Sequence, residues 1–137
     1  MIYYAKLNKG DNYGYWLEFP DVPGCFTQGK NLEETLARAE EALLGALLGF
    51  HVSGINPPTN YEGQEGYYPI PVPLNIAVAL KLRWAREASK LSQSEVAKKL
   101  DISYTTYQRF ESPSKNNATL KTIERLQNVL GVKLVSV

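Results

Sequence analysis

A run of hydrogen-bonding and basic side chains lies between positions 93 and 115. Its members are Gln93, Ser94, Lys98, Lys99, Ser103, Tyr104, Thr105, Thr106, Gln108, Arg109 and Lys115. A glutamine amide can make paired hydrogen bonds to adenine, and an arginine guanidinium can make them to guanine. Threonine offers a hydroxyl to phosphate or a methyl group to thymine, and lysines add phosphate contacts that are independent of base sequence. These residue types predict a surface that reads DNA.

Two short helices joined by a tight turn would present these side chains on one face. Ser92 is placed to cap the first helix, with Glu95 three residues later as in a capping box, and Ser103 is placed to cap the second. Small Ala97 lets the helices approach closely, and Asp101-Ile-Ser103 forms the turn. The buried side is predicted to comprise Val96, Leu100, Ile102, Tyr107 and Phe110. The alternative is a small helical bundle whose polar face is only solvated.

Further helices are predicted on both sides of this pair. Asn75 is expected to cap a helix from Ile76 to about Lys90, and Thr119 a last helix that Gly131 ends. The helix that begins at Ile76 has an apolar stripe of Ile76, Leu80, Trp84 and Ala88. The last helix has an apolar stripe of Leu120, Ile123, Leu126 and Leu130. A short strand is predicted over 132–137.

This half of the chain resembles the Cro/C1-repressor type of helix-turn-helix, from about Ile76 to Leu134. The matching positions are Leu91-Ser92-Gln93, Ala97, Leu100, Ile102-Ser103, Thr119 to Leu126 and Leu130-Gly131-Val132. Two positions depart from the pattern: Asp101 stands where glycine is usual, and Tyr107 where isoleucine or valine is usual. Proteins of this type usually bind palindromic operators as dimers, so the resemblance implies a homodimer or higher oligomer on operator DNA.

The two halves of the chain differ in charge. Residues 1–73 contain 4 Lys and Arg against 9 Asp and Glu, a net charge of −5. Residues 74–137 contain 11 Lys and Arg against 5 Asp and Glu, a net charge of +6. This asymmetry indicates one surface that seeks phosphate and another that seeks a basic partner.

Residues 1–73 are predicted to form a small α+β domain, and 74–137 an all-helical one, so the fold class is α+β. The predicted strands are Ile2 to Leu7, Tyr13 to Phe19 and Cys25 to Gln28, the first two forming a hairpin. Asn31 is expected to cap a helix of about 20 residues, with Glu34 at the capping-box position. Residues 53–66 are predicted to form a loop, and Tyr67 to Pro73 an edge strand or an extended connector, because prolines alternate there.

The first half offers little that resembles a catalytic site. His51 is interpreted as a helix-terminal histidine rather than a general base or metal ligand, and Cys25 has no histidine partner nearby in sequence. Asp11, Glu18 and Asp21 either form a two-metal carboxylate site or are turn and surface residues; we favour the second interpretation. We therefore predict no enzyme activity, no metal and no cofactor.

The first half does resemble a family, the N-terminal domain of HicB-type antitoxins. The matching segments are Tyr15 to Gly24, Thr27-Gln28-Gly29, Asn31 to Thr35, Ala39 to Leu43 and Ile70 to Leu74. The resemblance implies a partial ribonuclease-H-like fold without catalysis, which binds HicA, a small mRNA-cleaving toxin, beside a C-terminal domain that represses the operon promoter. Candidate toxin-binding residues are Tyr15, Trp16, Glu18, Asp21, Phe26, Glu33 and Glu34, with Glu40 and Glu41 as further acidic candidates.

The sequence therefore predicts a toxin-neutralising autorepressor. A single cysteine, no signal-like N-terminus and a longest apolar run of Ala42 to Phe50 favour a cytoplasmic protein without a membrane span. One alternative is a phage-type repressor whose N-terminal domain senses a ligand or oligomerises. The other is a nuclease that uses the N-terminal carboxylates.

Overall fold

A computed structural model describes residues 1–11, 14–54 and 65–135, which divide into two compact units, Met1–Val72 and Pro73–Val137. Unit 1 contains strands β1 (Ile2–Lys9), β2 (Tyr15–Glu18), β3 (Phe26–Gly29) and β4 (Tyr67–Pro71), with helix α1 (Leu32–Ser53). Unit 2 contains helices α2 (Leu74–Ala88), α3 (Gln93–Leu100), α4 (Tyr104–Phe110) and α5 (Leu120–Leu130). The predicted α+β class is confirmed. Predictions for Tyr13, most of the 53–66 loop and the last two residues lie outside the described residues.

The sheet of unit 1 is antiparallel throughout, in the order β3-β2-β1-β4. The proline-rich segment left open by the sequence is an edge strand, since β4 pairs only with β1 in this order. An edge position suits Pro69 and Pro71 because proline has no backbone N–H to donate to a further strand.

The two faces of this sheet differ in burial. Tyr3, Leu17 and Ile70 are buried on the side that α1 covers with Ala39, Leu43 and Leu47. The alternate residues face the opposite side, which we call the outer face. Its members on the first three strands are Ile2, Tyr4, Lys6, Asn8, Trp16, Glu18, Phe26 and Gln28, all of them half-buried or exposed. In its described residues, unit 1 is thus a two-layer structure in which α1 covers one face of the sheet and no described element covers the other.

Helix α1 begins where the sequence predicts. The Asn31 side-chain oxygen accepts a hydrogen bond from the Glu34 backbone N–H at 2.8 Å, and Gly54 ends the helix in a left-handed conformation. Buried Thr35, which the sequence pattern missed, lies against Gly29 of β3. A Cβ built on Gly29 would lie 2.6 Å from the Thr35 Oγ1, so only glycine permits this close helix–strand approach.

Unit 2 buries one apolar core. It comprises Val78, Leu82, Val96, Ala97, Leu100, Tyr107, Ile123, Leu126, Leu130 and Leu134. Thr119 caps α5 through the Thr122 N–H, and Gly131 ends it, as predicted. The core lies beneath α3 and α4 and fixes the side of each that faces outward.

Three sequence predictions for unit 2 are wrong. Helix α2 begins at Leu74 with Pro73 at its N-cap position, so Asn75 lies inside the helix and is not the cap. The proline carbonyl already accepts from the Ile76 and Ala77 N–H groups. Leu120 is 82% exposed because it is the first residue of α5, before the stripe that enters the core. Residues 132–135 form no strand.

The apolar stripe predicted for α2 is also not the one that enters this core. Val78 and Leu82 contribute to it. Of the predicted stripe, Ile76 and Leu80 are buried but lie outside this cluster, Trp84 is half-buried and Ala88 is exposed. The first half of α2 is apolar at consecutive positions from Ile76 to Leu80. Hydrophobic periodicity therefore could not select a face there.

Candidate nucleic-acid and protein interfaces

Helices α3 and α4 are fixed by their caps. The Ser92 hydroxyl accepts from the Glu95 N–H at 3.0 Å, and the Glu95 carboxylate accepts from the Ser92 N–H at 3.2 Å. The predicted capping box is therefore present. Ser103 caps α4 by accepting from the Thr106 N–H at 3.1 Å. These bonds set the starts of both helices on either side of the turn.

The turn between α3 and α4 depends on a left-handed residue. Asp101 adopts φ 57° and ψ 47°, and its N–H donates to the Lys98 carbonyl at 3.1 Å. Aspartate tolerates this conformation better than most residues other than glycine. Arg125 of α5 donates to the Leu100 carbonyl at 2.6 Å and so satisfies another carbonyl at the end of α3. Asp101 thus supplies the backbone geometry for which the helix-turn-helix pattern usually uses glycine.

The polar face predicted for α4 is exposed. Its members are Tyr104, Thr105, Thr106, Gln108 and Arg109, and Ser94, Lys98, Lys99, Ser103 and Lys115 are exposed as well. Tyr107 points the opposite way and is 0% exposed. Gln93 is half-buried at the start of α3. The arrangement can present hydrogen-bonding groups and positive charge to a groove of DNA while an apolar core holds the helix from behind.

Three side chains of this surface are joined by hydrogen bonds. The Tyr104 hydroxyl donates to the Gln93 amide oxygen at 3.2 Å, and the Gln108 amide donates to the Tyr104 hydroxyl at 3.2 Å. The Gln93 amide nitrogen in turn donates to Glu111 at 3.2 Å. The first turn of α3 is therefore connected through one phenol to the exposed face of α4.

Sequence reasoning missed the ion pair at the base of this network. Glu111 is 3% exposed and accepts from Arg86 Nε at 2.6 Å and Arg86 Nη2 at 3.0 Å. The hydrogen bond to Glu111 raises the pKa of Arg86. A signal was available, because Glu111 lies four residues after Tyr107, and residues at this spacing share a helix face. An acid on a predicted core face needs a basic partner.

Buried Tyr107 lies in the same surroundings. Burial raises the pKa of Tyr107 well above its usual range, and the Glu111 carboxylate raises it further. Its ring packs edge-to-face on Phe110, with centroids 6.5 Å apart. Tyrosine in place of the usual isoleucine or valine is therefore accommodated as a neutral core aromatic beside the ion pair.

Most candidate toxin-binding residues lie around two surface pockets of unit 1, and Trp16 lines both. Trp16, Glu18 and Phe26 share the outer face and line a surface pocket of about 470 Å³. Tyr15 projects from the helix-covered side and lines a second pocket, of about 300 Å³, with Glu34. The remaining candidates are Asp21, in the turn after β2, and Glu33, in the first turn of α1.

The groups considered for catalysis lie in unremarkable positions. Burial raises the pKa of the Cys25 thiol to about 11, so it is protonated at neutral pH and a poor nucleophile. His51 lies in the last turn of α1. Within residues 1–11, 14–54 and 65–135, no three His, Cys, Asp or Glu side chains are grouped to hold a metal ion. Asp11, Glu18 and Asp21 thus do not form a carboxylate cluster.

Comparisons with known proteins match both halves of the chain. Residues 3–60 match the profile of the HicB-like antitoxins of bacterial toxin-antitoxin systems, and residues 82–137 match a helix-turn-helix profile. Antitoxin HicB 2 of Photorhabdus laumondii is 31% identical over 134 residues, which cover 98% of this chain and 94% of that protein. This chain belongs to the HicB antitoxin family.

Other HicB proteins show the same relationship. Antitoxin HicB 1 of Photorhabdus laumondii is 28% identical over 134 residues, covering 98% of this chain and 84% of that protein. Antitoxin HicB of Escherichia coli K12 is 30% identical over 101 residues, 73% of this chain and 72% of that protein. Both resemblances found in the sequence are confirmed, and this HicB-family chain carries a DNA-binding helix-turn-helix. No helix in the described part of the chain is long and apolar enough to span a membrane.

Proposed function

We propose that this HicB-family chain neutralises a small RNA-cleaving toxin of the HicA type and represses its own operon. Residues 1–73, which contain unit 1, bind the toxin, and residues 74–137 bind operator DNA. The observation that carries the proposal is the exposed polar face of α4, which packs on the core through buried Tyr107. The same chain carries the acidic residues 1–73. The protein acts by binding in the cytoplasm, without catalysis, metal or cofactor of its own.

The DNA-binding half works by placing α4 in the major groove. Thr105, Gln108 and Arg109 are exposed and have the chemistry to contact base edges. The positioning contacts go to phosphates, from Ser94 at the start of α3, Ser103 and Thr106 at the start of α4, and the lysines. These lysines are Lys98, Lys99 and Lys115. A homodimer presents two such helices to a palindromic operator.

The toxin-binding half works by charge complementarity and occlusion. A protein that cleaves RNA must attract phosphate, so its active face is basic, and the net charge of −5 on residues 1–73 is complementary to it. Glu18, Asp21, Glu33 and Glu34 supply acidic contacts. Trp16 and Phe26 supply aromatic anchors on the outer face, and half-buried Tyr15 borders the second pocket.

The test is co-expression of the full chain with the small basic protein encoded beside its gene. Expression of that protein alone should arrest growth and degrade mRNA, and co-expression should restore growth and yield a stable complex. The purified chain should retard its own promoter fragment in a gel at concentrations that leave unrelated DNA free. A neighbouring product that is harmless, or that forms no complex, contradicts the neutralisation proposal.

A fragment of residues 1–73 tests the division of labour. It contains β1 to β4 and α1. The Val72 N–H donates to the Met1 carbonyl at 3.0 Å, so the pairing of β4 with β1 is complete within the fragment. The fragment should bind the toxin but not the operator, since every candidate DNA contact lies beyond it. A fragment that is folded by circular dichroism yet binds no toxin would show that unit 2 contributes to the toxin interface.

A second candidate function is a phage-type repressor that senses a ligand. The pocket of about 470 Å³ in unit 1 favours it, since ligand sites are concave, partly aromatic and few per protein. A small molecule that changes operator affinity in the absence of any toxin would support this function.

A further inference from the structure

Four side chains of the outer face form one compact group. In the register of β2 with β3, Trp16 lies opposite Gln28, and Glu18 lies opposite Phe26. Directly opposed residues in antiparallel strands have Cβ atoms about 4.5–5.5 Å apart, and alternate residues of a strand share a face. We call this group, Trp16, Glu18, Phe26 and Gln28, the β2–β3 patch. It combines two aromatic rings, one carboxylate and one amide.

The β2–β3 patch lines the larger of the two pockets described above. Phe19, Gly24 and Cys25 complete the lining of this space of about 470 Å³. None of these lining residues is basic, and the Cys25 thiol is neutral because burial raises its pKa to about 11. Glu18 is therefore the one charged group among them, and the pocket is negative at neutral pH.

The Glu18 carboxylate has a cation nearby but forms no ion pair with it. Lys6 of β1 lies opposite Glu18 in the strand register, but Glu18 forms no ion pair with the part of the chain that is described. Phe26 beside it is 65% exposed. The patch therefore offers a partner one carboxylate without an ion pair and one exposed aromatic ring.

We propose that this pocket receives an arginine side chain of the toxin that unit 1 binds, an inference that rests on the proposed function. The guanidinium lies against the Trp16 or Phe26 ring, donates to the Glu18 carboxylate, and donates to the Gln28 amide oxygen. Arginine suits this combination better than lysine because its planar group stacks on aromatic rings and donates two parallel hydrogen bonds to a carboxylate.

The charge excludes an apolar occupant. An apolar side chain would take Glu18 out of water without giving it a partner, which is unfavourable for a charge that becomes buried. A guanidinium compensates that cost and still covers Phe26. An arginine held here is also withdrawn from RNA phosphate, so the same contact would both anchor the toxin and remove one of its cations.

Matched variants of the full chain test the pocket against the toxin. Glu18→Gln and Phe26→Ala should each weaken toxin binding by about 10-fold or more, as expected for central anchor residues. Glu65→Gln removes one negative charge next to β4, the opposite sheet edge, and Val52→Ala trims an exposed apolar side chain of α1. Both controls should stay within about twofold, because neither contributes to a pocket contact. Affinities are measured by calorimetry, and folding by circular dichroism.

The outcomes separate this inference from the proposed function. If the wild-type chain does not bind the toxin, the proposed function fails. If the wild type binds and Glu18→Gln loses no more affinity than Glu65→Gln, the pocket inference is overturned while the proposed function stands. The pocket inference is also overturned if Phe26→Ala binds as tightly as Val52→Ala.

A second experiment needs no toxin. The full chain contains two tryptophans, Trp16 and Trp84, whose indole N–H signals can be assigned in an NMR spectrum with a Trp16→Phe variant. Titration with the peptide acetyl-Gly-Arg-Gly-amide should shift the Trp16 signal saturably, with a dissociation constant on the order of 1 mM, and leave the Trp84 signal unchanged. The lysine peptide should bind more weakly. The citrulline peptide, a neutral isostere of arginine, should cause no saturable shift. If the citrulline peptide binds as tightly as the arginine peptide, the proposal is overturned.

Discussion

Arg86 and Glu111 form a two-point ion pair in unit 2. Arg86 Nε lies 2.6 Å from Glu111 Oε2, and Arg86 Nη2 lies 3.0 Å from Glu111 Oε1. The third nitrogen, Nη1, donates to the Leu91 carbonyl at 3.0 Å between α2 and α3. One guanidinium on α2 therefore holds both the segment that leads into α3 and the residue that ends α4. The pair therefore ties the C-terminal end of α4 to α2.

Breaking the pair should destabilise unit 2 strongly. Arg86→Ala leaves the 3%-exposed Glu111 carboxylate without its main partner, and such uncompensated buried charges cost about 3–5 kcal/mol. Urea unfolding of unit 2 measures the loss in its free energy of unfolding. The double variant Arg86→Met with Glu111→Leu is the control: without a charge left unpaired, it should recover much of that stability. If Arg86→Ala lowers the free energy of unfolding by less than about 1 kcal/mol, the ion pair is exposed to water in solution.

Local rules explain why some features of this chain were predictable from sequence and others were not. The caps at Asn31, Ser92 and Ser103 follow from residue types three positions apart, and the exposed face of α4 follows from helical periodicity. The partner of Glu111 lies 25 residues away, so no local pattern could name it. The same limit applies to Thr35, whose burial depends on the approach of β3 to α1. It also explains the grouping of Trp16 with Phe26, which depends on strand register.

Removing two side chains of the α4 face should abolish specific operator binding. Gln108→Ala with Arg109→Ala deletes two exposed groups able to make paired hydrogen bonds to bases, each worth about 1–3 kcal/mol of discrimination. We expect a loss of about 100-fold or more in preference for the operator over unrelated DNA, measured by gel retardation at fixed salt. Toxin neutralisation in co-expression should be unchanged.

Lys115→Ala is the matched control for that experiment. Lys115 is exposed in the loop after α4 and is proposed to contact phosphate only. The variant should bind all DNA sequences somewhat more weakly and lower the salt dependence of log K by about one unit. If the double variant behaves like Lys115→Ala, then α4 does not read bases. If it loses toxin neutralisation while folded, the two functions are not divided between the units.

The Cys25 thiol should make stability sensitive to alkaline pH. Folding raises its pKa to about 11 by burial, so the native state favours the protonated thiol. The resulting stabilisation is complete below the pKa of the unfolded thiol, about 8.5, and is lost as pH rises through about 11. Urea midpoints between pH 8 and 10.5 should fall less steeply for Cys25→Ala than for the wild type. Equal slopes would mean that the thiol is hydrated in solution.

Tyr104 should act as a positioning residue for the DNA-binding surface. Its hydroxyl accepts from Gln108 and donates to Gln93, with both distances 3.2 Å. Tyr104→Phe keeps the ring but releases both amides. We expect operator affinity to fall about 3- to 10-fold, the equivalent of one hydrogen bond. The urea midpoint should change little, because both lost bonds lie on the exposed face, where water replaces them.

A double-mutant cycle distinguishes positioning from direct contact. If the phenol acts through Gln93, adding Tyr104→Phe to Gln93→Ala should cost little more than Gln93→Ala alone, since the coupling partner is already absent. If the two losses add, the phenol acts through Gln108 or contacts DNA itself, and the same cycle with Gln108→Ala separates these two cases. Base preference provides a second readout: a merely structural role would weaken all operator variants equally, whereas a released Gln108 should change the ranking of bases at the positions it reaches.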